Sequence, residues 1–132
     1  MQLLARISAV ALLLACAVVA NASNPGTLLV LNKSDNTVSL VDLASKKSVA
    51  TIPTGSGPHE VAVSPDGRTA VVCNYGSQLS PGSTLTVIDI PARKASRTID
   101  LQQYRRPHGI AWLRGNEVAV TTEGSKAMLI VD

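Results

Sequence analysis

The chain has 132 residues, of which 45% are hydrophobic and 2% aromatic, with no Phe, and its formal net charge is +3. A core must therefore come from Val, Ile, Leu and Ala, a stock that suits pleated, half-buried β surfaces. The charge falls to +2 if Arg6 leaves with a leader, and the cations are scattered, which excludes the clustered basic face of a nucleic-acid binder.

Met1 to Arg6 is a short positive segment, Ile7 to Ala20 an unbroken apolar run, and Ala20-Asn21-Ala22 a small-x-small cleavage pattern. These predict a signal peptide over 1–22 and a mature domain over 23–132, periplasmic or secreted. The apolar run is shorter than the roughly 20 residues a spanning helix needs. Leu13-Leu14-Ala15-Cys16 offers a competing lipoprotein box, but Leu14 is large for its position and the apolar run continues past Cys16. A membrane enters only if Cys16 is lipidated. Once Cys16 is removed, Cys73 has no disulfide partner, and the strand context Ala70-Val71-Val72-Cys73-Asn74 reads as a buried small hydrophobe.

Strands follow in order over Thr27–Asn32, Val38–Leu43 and Lys47–Ile52; then His59–Val63, Thr69–Asn74, Thr84–Ile90 and Lys94–Asp100; then His108–Trp112, Glu117–Thr122 and Ala127–Val131. Ser64-Pro65-Asp66-Gly67 is a strong turn signal, since Pro presets φ and Gly accepts the positive φ that closes the turn. Asp42 and Asp89 end equivalent strands and read as acceptors for turn amides.

The strands repeat. Asn36 to Asp42 is echoed by Ser83 to Asp89, and Gly57-Pro58-His59-Glu60-Val61 by Arg106-Pro107-His108-Gly109-Ile110. Asp42, Asp89 and Asp132 mark a period of roughly 45 residues, the size of a four-stranded β-propeller blade. The expectation is an all-β chain of ten strands, about two and a half blades. The first blade lacks its innermost strand and the third its outermost. Closed propellers take about four to eight blades, so the chain reads as part of a longer ring.

The pattern resembles the YVTN-type β-propeller repeat of YncE-like and surface-layer-type bacterial proteins. Leu29-Val30-Leu31-Asn32 and Val71-Val72-Cys73-Asn74 match its first element, Asn36 to Asp42 and Ser83 to Asp89 its second, and Gly57-Pro58 with Ser64-Pro65-Asp66-Gly67 its third. The third copy departs, because Ala119-Val120-Thr121-Thr122 lacks the Asn. Similar repeats serve lactonase-type propellers, amine dehydrogenase heavy chains and haem-binding nitrite reductases, so the resemblance implies a scaffold and leaves the activity open.

In such a meander, the lead-in to each innermost strand and the loop between the second and third strands share one face. His59 and His108 stand at that lead-in, near Tyr75, Tyr104, Arg105 and Arg106 and the Gln78 to Ser83 insertion. These six residues are the candidate ligand-binding set, aromatic area joined to charge-assisted donors. The structural alternative is that each imidazole bonds a neighbouring backbone group. Two histidines alone specify no metal, and no catalytic residue or cofactor is read from motifs: there is no G-x-S-x-G, H-E-x-x-H or C-x-x-C. The expected function is a non-catalytic scaffold for a partner protein or small ligand, without nucleic acid. A lactonase-type hydrolase, for which Glu60 and Glu123 are the acidic candidates, and a cofactor-bearing redox propeller are the alternatives.

Overall fold

A computed structural model describes residues 25–132; the expected signal peptide and Cys16 lie outside them. Ten antiparallel strands form three sheets: β1 (Thr27–Asn32), β2 (Thr37–Asp42) and β3 (Lys47–Pro53); β4 (Pro58–Val63), β5 (Thr69–Gly76), β6 (Pro81–Asp89) and β7 (Lys94–Asp100); β8 (Pro107–Trp112), β9 (Val118–Thr122) and β10 (Ala127–Val131). The sheets are the expected blades, one whole blade between a blade that begins at its second strand and one that stops at its third. Among the described residues no helix is long and apolar enough to cross a membrane.

Several boundaries shift from the sequence reading, and two shifts have a visible cause in the bonding. Pro81 pairs with Gly76, so the expected Gln78 to Ser83 insertion is a longer β5–β6 hairpin whose tip alone is loop. Glu117 donates its N–H to the Arg114 carbonyl and closes a turn, which delays β9 to Val118. A short 3-10 turn, Glu123–Ser125, follows β9.

The middle blade is covered on both faces, and this explains the unbroken burial of β5 from Ala70 to Asn74. Ala70 and Val72 join Val38, Leu40, Ile52 and Ile88 in the seam with the first blade. Val71 and Cys73 join Leu85, Val87, Leu101, Val118 and Val120 in the seam with the third. Alternate residues of a strand face opposite ways, and here both ways are core. Each buried Val, Leu or Ile contributes about 1.5–3 kcal/mol. The outer blades leave Leu28, Val30, Met128 and Ile130 exposed.

Polar pins recur with the repeat. Buried Asn74 donates from Nδ2 to the Thr84 and Thr86 hydroxyls at 2.9 and 3.0 Å, while its Oδ1 accepts from the Gly55 N–H at 3.1 Å. Asn32 donates likewise to Thr37 and Ser39 at 3.0 and 2.9 Å. In the third blade Thr122 replaces the Asn and donates to the Ala127 carbonyl instead. Asp42 and Asp89 accept from the Ser45 and Ala92 amides, and Asp66 from Arg68 N–H and the Ser64 hydroxyl, so all three carboxylates close turns as expected. The Ser45 hydroxyl and amide hold the Asp42 carboxyl below its ordinary range, and Ser64 and Arg68 do the same for Asp66.

Candidate functional site

The junctions before β4 and β8 superimpose in their bonding. Gly57 and Arg106 are both left-handed, at φ 60° and 56°, and their carbonyls accept from the Tyr75 and Glu123 amides at 3.0 and 2.9 Å. Next come Pro58 and Pro107, both fully buried, and then the histidines. The β4–β5 ladder breaks between Pro58 and Glu60, the β8–β9 ladder between Pro107 and Ile110, and the β5–β6 ladder between Asn74 and Gly76. His59, His108 and Tyr75 thus all sit at bulges, which take a residue out of the ladder and re-aim its side chain.

The three rings meet. The His59 and His108 centroids are 4.4 Å apart, and Tyr75 lies 5.2 Å from His59 and 5.7 Å from His108, edge-on to the latter. The Arg106 guanidinium carbon is 4.9 Å and Lys33 Nζ 5.0 Å from the Tyr75 centroid, cation–π contacts each worth about 0.5–1 kcal/mol at an exposed site. The Tyr75 hydroxyl donates to Glu123 Oε2 at 2.6 Å.

Lys33, Tyr75 and Glu123 each follow the pinning position, Asn32, Asn74 or Thr122, of successive blades. A cation, an aromatic and a carboxylate at one repeat position therefore join edge to edge, beside the histidine pair from a second repeat position. Sequence reading missed Lys33 and named Glu123 only as an acid; the repeat phase was the signal that could have placed both.

Among the described residues neither imidazole hydrogen-bonds a backbone group, the contact the structural alternative calls for. Nδ1 of His59 is closed off from water without a hydrogen-bond partner, a deficit of about 1–3 kcal/mol for a buried polar atom. Its nearest carboxylate oxygen, Glu60 Oε1, is 3.8 Å away, beyond hydrogen-bond reach. His59, Glu60 and His108 offer ligating atoms that all lie within 4.8 Å of one another.

The lead-in contributes less than expected. Tyr104 packs against the apolar seam between the second and third blades, and the Arg105 guanidinium turns back to the Gln102 carbonyl. Of the four lead-in and loop residues only Tyr75 and, through its contact with Tyr75, Arg106 join the histidines; Gln102 and Arg106 are left-handed, at φ 60° and 56°. Tyr75 itself belongs to β5 and not to a loop.

A recess of about 240 Å³ lies in the same inter-blade seam, lined by Val71, Val87, Ile99, Trp112 and Val118 among others. Thr69 and Trp112 place it at the opposite strand ends from Tyr75 and His108, and its apolar walls are those of the seam.

Residues 2–112 match the family model described as YNCE-like beta-propeller. Among solved structures, hydrazine synthase of Kuenenia stuttgartiensis is similar at TM-score 0.60 and 21% identity, over 90% of this chain and 38% of that one. The β-propeller domain of Cps50 (Swd1) from Myceliophteria thermophila is similar at TM-score 0.59 and 14% identity, over 80% and 33%. No curated protein matches. The chain spans about a third of the length of these structures, and at such identities the likeness speaks for the fold. The family match over most of the chain, met by repeated antiparallel blades of which two are pinned by Asn32 and Asn74, makes this protein a member of the YNCE-like β-propeller family.

Proposed function

We propose that the protein is an exported, non-catalytic propeller scaffold that binds an anionic group, of a small ligand or a partner protein, where His59, Tyr75, His108, Arg106 and Lys33 meet. The observation that carries this reading is the convergence of three rings and two cations from three blades on one face. Arg106 Nη2 donates to the Gln78 carbonyl at 3.2 Å, and the remaining N–H donors of its planar fork suit a carboxylate or phosphate. Its backbone is held on both sides, the N–H by the Gly82 carbonyl and the carbonyl by the Glu123 N–H, so the guanidinium starts from a fixed base. Glu123 is occupied by the Tyr75 hydroxyl. Export rests on the leader-like first 22 residues, and N-terminal sequencing of periplasmic material should begin at Ser23.

The chain has two histidines, so selective ¹⁵N-histidine labelling gives two ring systems to follow. With EDTA present, titration with acetate and with phosphate should shift both rings saturably, and Arg106→Ala should abolish the response. Rings indifferent to both anions, or an unchanged response in Arg106→Ala, would sink the reading.

A further inference from the structure

We infer that His59, His108 and Glu60 form a site for one divalent first-row transition ion of the zinc or copper kind. This rests on the reading of the same cluster as the recognition face and names what its centre holds. Two imidazoles and a carboxylate are borderline donors that suit Zn²⁺ or Cu²⁺, whereas Ca²⁺ and Mg²⁺ prefer sets of oxygens. The two histidines come from equivalent bulges of adjacent innermost strands, and Glu60 is the residue after the first.

The geometry is within reach of an ion. Metal–nitrogen and metal–oxygen bonds of about 2.0–2.2 Å let two ligands stand at most about 4.2 Å apart. His59 Nδ1 and Glu60 Oε1, at 3.8 Å, already meet that limit. The widest separation in the set, within 4.8 Å, closes by side-chain rotation, for which partly exposed His59 and His108 and exposed Glu60 have room.

The buried, unpartnered Nδ1 of His59 is the independent mark. A carboxylate oxygen stands just too far from it for a hydrogen bond, at a distance that a bridging cation spans. Three protein ligands leave a coordination position open, as in exchangeable rather than structural sites. Arg106 and Lys33 both stand about 5 Å from the Tyr75 ring that adjoins the histidines, so cations lie near the cluster where an anion could take the open position. Cys73, buried in the blade seam, does not compete as a ligand.

The test uses tag-free protein stripped with EDTA and desalted. Calorimetric titration with Zn²⁺ should saturate at one ion per chain. With Cu²⁺, electron paramagnetic resonance should show two imidazole nitrogens, falling to one in His108→Ala. Glu60→Gln, at an exposed position, should weaken Zn²⁺ binding by at least about tenfold and keeps the proposal testable if a histidine variant fails to fold. Absence of stoichiometric binding, or affinity indifferent to Glu60→Gln and His108→Ala in folded protein, overturns the metal site. Ring shifts with acetate in EDTA but no Zn²⁺ binding would remove the metal and leave the recognition reading; silence in both assays removes both.

Discussion

Replacing Asn74 by Ala should be the most damaging single polar change in the middle blade. The side chain is 1% exposed and makes three hydrogen bonds at 2.9–3.1 Å, two to β6 hydroxyls and one from the Gly55 amide ahead of β4. At about 1 kcal/mol net per bond, with the lost volume of a fully buried side chain added, the cost is about 3–4 kcal/mol. Asn32 makes only two such bonds and is half-buried, so Asn32→Ala should cost about 1–2 kcal/mol. Equilibrium urea unfolding reads both as midpoint shifts at unchanged slope. A double-mutant cycle of Asn74→Ala with Thr86→Val should return a coupling of about 1 kcal/mol. A cost below about 1 kcal/mol for Asn74→Ala, or one equal to that of Asn32→Ala, would refute the view that Asn74 pins β5 to β6 and to the lead-in of β4.

Cys73 should resist thiol reagents in native protein, because burial and then the Glu60 charge push its thiol from 9.0 up to about 12. On going alkaline the unfolded chain gives up this proton first, so stability should fall between pH 9 and 12 by up to about 1.4 kcal/mol per unit; urea midpoints at pH 8 and pH 10 measure it, and Cys73→Val should flatten the decline. His59→Ala and His108→Ala should each cost less than about 1 kcal/mol, as expected for side chains outside the ladder, and a loss of several kcal/mol in the same urea assay would show that they are structural pins.

Strand order, blade boundaries and turn acids were legible in the sequence because each has a local cause. Asp42, Asp66 and Asp89 accept from groups two or three residues away, and the period-two pattern of a strand fixes which residues share a face. The site was legible only by repeat position. His59 and His108 meet because equivalent points on adjacent innermost strands converge. Tyr104 and Arg105 look as suitable as Tyr75 and Arg106, yet Tyr104 packs on the blade seam and Arg105 turns back to the Gln102 carbonyl. Nothing in composition or spacing encodes the placement of Arg106, because its backbone is held by Gly82 and Glu123, both distant in sequence. The bulge at Tyr75, which turns a strand residue toward the histidines, depends on pairing with β6 and is equally nonlocal.

Arg106 separates what the fold needs from what the site needs. It precedes a proline, a position normally driven to extended backbone, yet it sits at φ 56°, where a side chain costs about 1–2 kcal/mol. The equivalent residue in the preceding junction is Gly57, at φ 60°, where a Cβ would come within 2.3 Å of the Gly76 carbonyl oxygen. The backbone there thus suits glycine, and at the second junction an arginine is held in it by bonds from its N–H to Gly82 and from Glu123 to its carbonyl. Arg106→Gly should relieve that strain while adding about 0.4–1 kcal/mol of unfolded-state entropy and losing the contact with Tyr75, so its net effect on stability should stay within about 1 kcal/mol. The same change should abolish the response of both histidine rings to acetate and phosphate. Strain retained at a backbone position that glycine fills freely points to a role for the side chain. A large loss of stability on Arg106→Gly with anion response intact would assign the arginine to the fold instead.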